Sequence, residues 1–454
     1  MINEAMFREY DIRGLAETEL SDPVVERIAM GAAAVYVREG KKEIAVGMDG
    51  RPSSPRIKEL FSRTLARYGL DVIDLGLVPT PVAYFAAFRR RLGGAVIITA
   101  SHNPSAYNGF KVMLGTAALY GDQVKEIYRL AVHGPFPAEA QGSVRPEDML
   151  PEYLDYIQRN ITLKRKLRVV VDGGNGTGGL TAPELYRRLG AEVIPLYCDV
   201  DGRFPNHHPD PTVAENLRDM IDAVRAHGAD LGIGLDGDAD RIGVVDNLGR
   251  ILWGDQLLIL FARDILKDHP GATIISEVKA SEVLFAEIKR HGGKPLMWKA
   301  GHSLIKKKLF EVNALAAGEV SGHVFFNDKW FGFDDAVYAG ARLLEILAAG
   351  KASLAELFDT IPRVFNTPEI RVDCGDQVKF RVVETVRDHF RAIRPVIDID
   401  GARITFPHGW ALVRASNTQP SLVLRFEADS EQELGRIRQE VNAVIRRTQA
   451  ELGD

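Results

Sequence analysis

The sequence predicts an α/β protein of three similar mixed α/β domains followed by a smaller C-terminal α+β domain. Three observations carry this. Short apolar strands alternate with amphipathic helices along most of the chain, the order of βαβ units, which implies a mostly parallel, covered sheet in each. Three apolar strands end in Asp-Gly, at 49, 172 and 236, which reads as an internal repeat of one unit. After about residue 365 the strands become short and alternating, as in an antiparallel sheet.

Taken in order, KKEIAVGMDG is a strand, PRIKELFSRTLARYG carries apolar residues at helical spacing, LDVIDLG is the next strand, and GGAVIITASHNP is a strand running into a loop. The pattern restarts near residue 167: LRVVVDGGNGTGG is a strand and a glycine-rich loop, TAPELYRRLG a helix closed by Gly190, and AEVIPLY a strand. ADLGIGLDGDADRIGVVD places two apolar runs around an acidic loop. WGDQLLILFARDILKDHPG opens the third unit as a helix before the strand ATIISEV. TPEIRVDC, ARITFP, GWALVRAS and SLVLRFEA are the strands of the last unit, with DQVKFRVVETVRDHFRAI and SEQELGRIRQEVNAVIRRTQ as its helices. The expected domains are 1–149, 150–250, 251–363 and 364–454.

Of the 454 residues, 46% are hydrophobic and 26% charged, which is ordinary globular composition with material for several cores. The net charge of −5 shows no basic surplus, so no nucleic-acid partner is expected. MINEAMFREYDIRG lacks the basic and apolar regions of a signal peptide, and no apolar run approaches the ~18 residues that span a bilayer. Cys198 and Cys374 form neither a disulfide framework nor a zinc pattern. The expectation is a monomer in the cytoplasm, with no membrane partner.

Chemistry is concentrated in a few loops. In GLDGDADR, Asp236, Asp238 and Asp240 alternate between two apolar strands. Three carboxylates so close repel one another unless a cation sits among them, and hard oxygen ligands in a compact loop suit Mg²⁺. An EF-hand is excluded, because Arg241 stands at its sixth position and Asn247 at its twelfth. In VIITASHNPSAYNGFK an apolar strand delivers Ser101 to a loop at its carboxyl end, where α/β sheets bind ligands, and Lys111 brings a cation ten residues on. Read alone, Ser101 is a turn residue; its company changes that.

VRASNTQPSLVLRFE holds Arg414, Ser416, Asn417 and Thr418 in a polar loop whose donors can converge on one anion. In AAGEVSGHVFF, Glu319, Ser321 and His323 alternate, so in an extended stretch they point one way; a carboxylate and a hydroxyl so spaced could read adjacent sugar hydroxyls, and His323 could move a proton. FREYDIRG supplies Arg8, Tyr10 and Arg13. Lys279 follows the strand ATIISEV, and WKAGHSLIKKKL holds Lys299 and His302 before three lysines, 306 to 308, expected on a solvated helix face. Gly174, Gly176 and Gly179 match a dinucleotide fingerprint, with Asp199 twenty residues on. That match explains none of the other loops, and tight packing within one unit is the better reading.

Together FREYDIRG, TASHNPSAYNGFK, DGDADR, GEVSGH and RASNTQP, in this order over nearly the whole chain, resemble the alpha-D-phosphohexomutases, and GEVSGHVFF, WFGFDD and GWALVRASNTQPSLVLRFEAD look like the bacterial phosphomannomutase/phosphoglucomutase branch. The resemblance implies four domains around a central cleft, each giving one loop. It implies that Ser101 is a phosphoserine and that Asp236, Asp238 and Asp240 hold Mg²⁺ with the serine phosphate as a further ligand. Arg13, Lys111 and His323 would surround the reacting groups, the last two as open candidates for the acid/base. Tyr10 and Arg241 would face the substrate, Lys279 and His302 would position the sugar phosphate, and Glu319 and Ser321 would bind hydroxyls. Arg414, Ser416, Asn417 and Thr418 would clamp the phosphate not in transfer. The implied reaction interconverts mannose or glucose 1- and 6-phosphates through a glucose or mannose 1,6-bisphosphate that turns end for end; a phosphoglucosamine mutase is the alternative, a nicotinamide-dependent dehydrogenase a remote one. One departure is visible: Ala239 stands where many members have Gly.

Overall fold

The computed structural model describes residues 2–134, 141–416 and 420–452. Its first three sheets repeat one plan. Across the first sheet run Ile12–Leu15, Tyr107–Leu114, Gly94–Ile98, Glu43–Met48, Asp71–Leu77 and Val144–Pro146. The second carries Ile251–Leu252, Ile242–Asp246, Leu231–Leu235, Arg168–Asp172 and Glu192–Leu196. The third carries Val324–Phe326, Ala316–Gly318, Thr273–Glu277 and Lys294–Trp298. In each, three neighbouring strands are parallel. In each, the strand on one side of that trio then turns back into an antiparallel partner. In the first sheet Val144–Pro146 adds a fourth parallel strand, so the expectation of mostly parallel sheets holds up to the antiparallel return in each.

Those three returns are the loops that carry Ser101, the aspartates, and Glu319 to His323. The repeat is therefore real, but Asp-Gly does not mark it consistently. Asp49 and Asp172 end the first parallel strand of their units, whereas Asp236 ends the strand that leads into the return. The third unit's counterpart of Asp49 and Asp172 is Glu277. All three acids are buried and accept the N–H two residues on, from Arg51, Gly174 and Lys279.

The strand Val169–Val171 is buried on both faces, as helix-covered parallel strands are. One apolar core runs through all three units, from Ala45 and Ile97 through Val171 and Ile233 to Ile274 and Phe326. The helix Leu150–Asn160, between the first two sheets, joins it through Tyr153, Leu154 and Ile157. The helix Ala336–Ala349 joins it too, starting on Asp335, whose carboxylate accepts from Tyr338 N–H at 2.8 Å and from the Tyr153 hydroxyl at 3.0 Å.

The fourth sheet is antiparallel throughout: Phe365–Asn366, Ser421–Ala428, Gly409–Ala415, Ala402–Phe406 and Val396–Ile397, with Ile370–Asp373 also on Ser421–Ala428. The helices Lys379–Arg391 and Glu431–Leu452 cover it around a separate core. Among the described residues, no helix is long and apolar enough to cross a membrane.

Candidate active site

The first two returns meet at Ser101. Its Oγ donates to Asp236 Oδ2 at 2.7 Å and lies 3.0 Å from His102 Nδ1. Lys111, on the antiparallel strand that follows, places its Nζ 2.7 Å from Asp238 Oδ2 and in contact with Asp240 Oδ2. The Thr80 hydroxyl also donates to Asp238 Oδ2, at 2.6 Å. All three aspartates are wholly buried. Burial and then its two neighbouring carboxylates push Asp236 well above the usual carboxylate range. Burial acts the same way on Asp238, but the Lys111 charge overrides it and holds that carboxyl low.

The three aspartates fit a divalent cation. One oxygen from each lies within 4.8 Å of the others. Among the described residues, Asp238 Oδ1 and Asp240 Oδ1 are buried without a hydrogen-bond partner, a costly state that a hard cation would relieve. The glycine-rich loop packs against this site. A Cβ on Gly176 would meet Gly237 Cα at 2.8 Å and Asp236 O at 3.0 Å, so Gly176 lets that loop pack against the aspartate loop.

The third return brings His323. Its Nε2 accepts from Arg241 Nε at 3.1 Å, and its Nδ1 lies 3.1 Å from Asp334 Oδ2. The same Asp334 oxygen is 3.1 Å from His302 Nδ1, and the two imidazoles stack with centroids 5.1 Å apart. Lys306 pairs with the other Asp334 oxygen at 2.7 Å. Burial would raise the Asp334 carboxyl, but Lys306 and the two histidines hold it well below its ordinary value. Burial pushes His302 down despite that contact, which favours its neutral form. Arg13 closes this side, donating to Asp11 Oδ2 and to Asn103 Oδ1, each at 2.7 Å.

A second group lies towards the C-terminal domain. Arg414 pairs with Asp400 at 3.1 Å, and its buried Nε has no hydrogen-bond partner among the described residues. Lys279 lies 3.4 Å from Glu277 and 3.3 Å from Glu369. Burial would lower the Lys279 ammonium, but the two glutamates raise it, so it stays charged. Ser416 is buried, and its carbonyl accepts from Lys379 Nζ at 2.6 Å. Asn417 and Thr418 lie outside the described residues.

One segment bridges the two groups. Tyr10 donates to Ala300 O at 2.9 Å and lies edge-on to His302. Gly301 N–H donates to Glu319 Oε1 at 2.8 Å, and Ala300 N–H to Asp400 at 3.1 Å. A Cβ on Gly301 would meet the Tyr10 hydroxyl at 2.3 Å, so only glycine admits this approach.

Two expectations from the sequence need correction. Glu319, Ser321 and His323 do not share one face of an extended stretch. The segment is a tight turn closed by Gly322 N–H on Glu319 O, with Gly322 at φ 88°, and alternation loses its meaning there. Lys306 is not on a solvated face; it is buried on Asp334 with its ammonium 4.2 Å over the Tyr84 ring, while Lys307 is exposed. Sequence reading also missed Thr80, Asp334, Glu277, Glu369 and Asp400. For Asp334 a signal existed, the Asp-Asp of FGFDD, but no spacing tied it to a histidine eleven residues earlier.

Four family models match the chain: phosphoglucomutase/phosphomannomutase alpha/beta/alpha domain I over residues 4–136, domain II over 151–249, domain III over 253–365, and the C-terminal domain over 369–444. A phosphomannomutase/phosphoglucomutase from Pseudomonas aeruginosa is 46% identical over 435 residues, covering 96% of this chain and 94% of its own. A phosphoglucomutase from Neisseria gonorrhoeae is 45% identical over 448 residues, covering 98% and 97%. The crystal structure of a phosphoglucomutase/phosphomannomutase family protein from Burkholderia thailandensis superposes with a TM-score of 0.94 at 42% identity, covering 99% of this chain and 98% of that one.

Proposed function

The chain belongs to the phosphoglucomutase/phosphomannomutase family, and we propose that its hexose-phosphate mutase activity runs through a phosphorylated Ser101 and acts on glucose and mannose phosphates. It is an isomerase of carbohydrate metabolism. The observation that carries the serine assignment is the 2.7 Å contact between Ser101 Oγ and Asp236, inside a ring of three buried carboxylates and Lys111. A hydroxyl aimed at a would-be metal ligand is where a phosphoserine would share that metal.

Asp236, Asp238 and Asp240 would hold Mg²⁺, whose chemistry is to offset the charge of the phosphoryl group. A phosphoserine brings about −1.5 to −2 charge, and phosphoryl transfer depends on positioning and charge stabilisation. Lys111 supplies a cation beside the serine. Arg13, tied to Asn103 of the serine loop, supplies another. His323 is the better acid/base of the two candidates, because Lys111 is committed to two aspartates while His323 has Asp334 behind Nδ1. In that role Asp334 would hold the ring from behind Nδ1, 3.1 Å away.

Arg414 and Ser416, with Asn417 and Thr418, would clamp the phosphate not in transfer, helped by Lys279. Tyr10, Arg241 and His302 would line the sugar's path, with Glu319 and Ser321 on its hydroxyls. Because the clamp binds phosphate and not the rest of the sugar, it would accept C1 or C6 phosphate as the 1,6-bisphosphate turns. Each domain, taken as 1–149, 150–250, 251–363 and 364–454, would give one loop to the cleft. A monomer in the cytoplasm is the reading, supported by a site drawn from one chain.

Intact-mass analysis before and after incubation with glucose 1,6-bisphosphate tests the class, with Ser101→Ala beside it. One added phosphate that vanishes in Ser101→Ala is the expected result, together with Mg²⁺-dependent conversion of glucose 1-phosphate. Phosphate uptake by Ser101→Ala would sink the serine assignment. Turnover of glucosamine phosphate alone would sink the substrate assignment and keep the class.

A further inference from the structure

We propose that Arg51 is a positioning residue for Ser101, holding the serine loop in the conformation from which the hydroxyl acts; this rests on reading Ser101 as the phosphoryl carrier. Arg51 follows the strand Glu43–Met48 and is 1% exposed. Its Nη2 donates to Ser101 O at 2.8 Å and Asn103 O at 2.6 Å. Its Nη1 donates to Pro104 O at 2.6 Å and Tyr107 O at 3.0 Å. Nε donates to Asp49 Oδ2 at 3.0 Å, so one planar fork spends all its donors on the serine loop and one aspartate. The Phe204 ring lies over the guanidinium, 5.2 Å to the centroid.

Asp49 holds the other end of the loop. Its Oδ2 also accepts from the Thr99 hydroxyl at 2.8 Å, and Thr99 Oγ1 accepts from Ser101 N–H at 2.8 Å. The Ser54 hydroxyl fixes Asp49 Oδ1 at 2.6 Å. Both main-chain polar groups of Ser101 are therefore tied to one buried ion pair, the N–H through Thr99 and the carbonyl through Arg51.

The tie matters because Ser101 stands at φ 52°, a region that residues with a side chain rarely occupy and that persists only where surroundings impose it. There is no slack on the far side: a Cβ on Gly237 of the aspartate loop would meet Ser101 O at 2.4 Å. Any turn of the Ser101 peptide would move Oγ away from Asp236. A lysine at 51 offers a single nitrogen and cannot span four carbonyls. Misplacement by about 1 Å can cost on the order of 100-fold in rate.

Arg51→Lys and Thr99→Val test this. Phosphate transfer from glucose 1,6-bisphosphate to the dephosphorylated enzyme is followed by rapid-quench intact mass, and glucose 6-phosphate affinity by calorimetry. Transfer is expected to slow about 100-fold in Arg51→Lys and about tenfold in Thr99→Val, with Kd within about twofold of the parent in both. That split is what a merely stabilising role would not produce. A parental transfer rate, or an equal loss of rate and affinity, overturns the proposal. Should Arg51→Lys fail to fold, Thr99→Val decides alone, since it keeps the side-chain shape and loses one hydroxyl. Ser101→Ala separates the two levels. Phosphate uptake that survives there overturns the reading of Ser101, and with it this inference. Uptake lost there but unslowed in Arg51→Lys and Thr99→Val overturns only the role of Arg51.

Discussion

Ser101, Lys111 and the three aspartates lie where three sheets share one apolar core, whereas Arg414 and Lys279 lie where a domain with its own core touches the rest. The apolar part of that second contact is small: Val278 against Trp410 and Leu412, with Met297 and Ile399 packed beside them. The rest is polar. Arg403, 3.7 Å over the Trp410 ring, donates to Val278 O at 2.6 Å and Ala280 O at 2.8 Å, and Arg425 donates to Lys279 O. Glu427 accepts from Glu282 N–H at 3.0 Å. Domain four thus grips the loop that carries Lys279 by its main chain. Packed apolar surface can be separated only at the cost of hydrating it, while hydrogen bonds from a guanidinium to carbonyls, worth ~1.5–3 kcal/mol each, can be exchanged for bonds to water. One end of the site is fixed by packing and the other by a polar seam. That division suits the proposed reaction, in which Ser101 as phosphoryl carrier would hold still and the Arg414 loop would take phosphate from either end of a sugar.

Lys111→Met is the most severe way to break this comparison, because it attacks the packed end. Two wholly buried carboxylates lose their cation, which should destabilise the metal-free protein by ~3–5 kcal/mol. Mg²⁺ should recover much of the lost Tm, since it would serve the same oxygens, while turnover stays about 10²–10³-fold down. Thermal unfolding with and without MgCl₂ reads the first effect. A Tm loss that Mg²⁺ leaves untouched would show that the aspartates do not hold the metal.

How legible each end was in the sequence follows the same division. The aspartates stand within five residues, so their repulsion and its remedy are visible in one line of sequence. Arg51, Thr80 and Asp334 reach the site across the fold, from positions 50, 158 and 11 residues away from the residues they hold. No local pattern announces them. The repeat was seen through Asp-Gly, which caught Asp49 and Asp172 but took Asp236 for a third copy and passed over Glu277, where Val278 stands in place of glycine. Alternation at Glu319, Ser321 and His323 misled because a period of two presumes a strand, and Gly322 had already permitted a turn.

Arg403→Lys attacks the polar end and should do less. Lysine keeps the charge but cannot bridge the Val278 and Ala280 carbonyls. The KM for glucose 1-phosphate is expected to rise about tenfold, ~1.4 kcal/mol, with kcat within about threefold, because Lys279 loses its register with Arg414 while Ser101 stays in place. Steady-state kinetics decides it. A fall in kcat at constant KM would mean that the seam supports the chemistry directly, and the division between the two ends would fail.

Ala239→Gly probes the packed end most gently. Ala239 is buried in the aspartate loop at φ 61°, a conformation that explains why many family members have glycine there: the constraint is on the backbone and not on any ligand atom. An alanine held there costs of order 1 kcal/mol, which glycine would relieve. Glycine would also loosen the unfolded chain, by ~0.4–1 kcal/mol, and remove a methyl that packs towards Gly178, where an added Cβ would meet it at 3.2 Å. These effects nearly cancel, so the expected change is under ~1 kcal/mol in either direction. A gain would say that backbone strain outweighs the methyl's packing, and a small loss the reverse. A loss above ~2 kcal/mol would say that the loop's shape depends on its own side chain. It could not then be attributed to the three-sheet core and to the main-chain ties from Ala239 N–H to Asp236 O and from Ala336 N–H to Ala239 O.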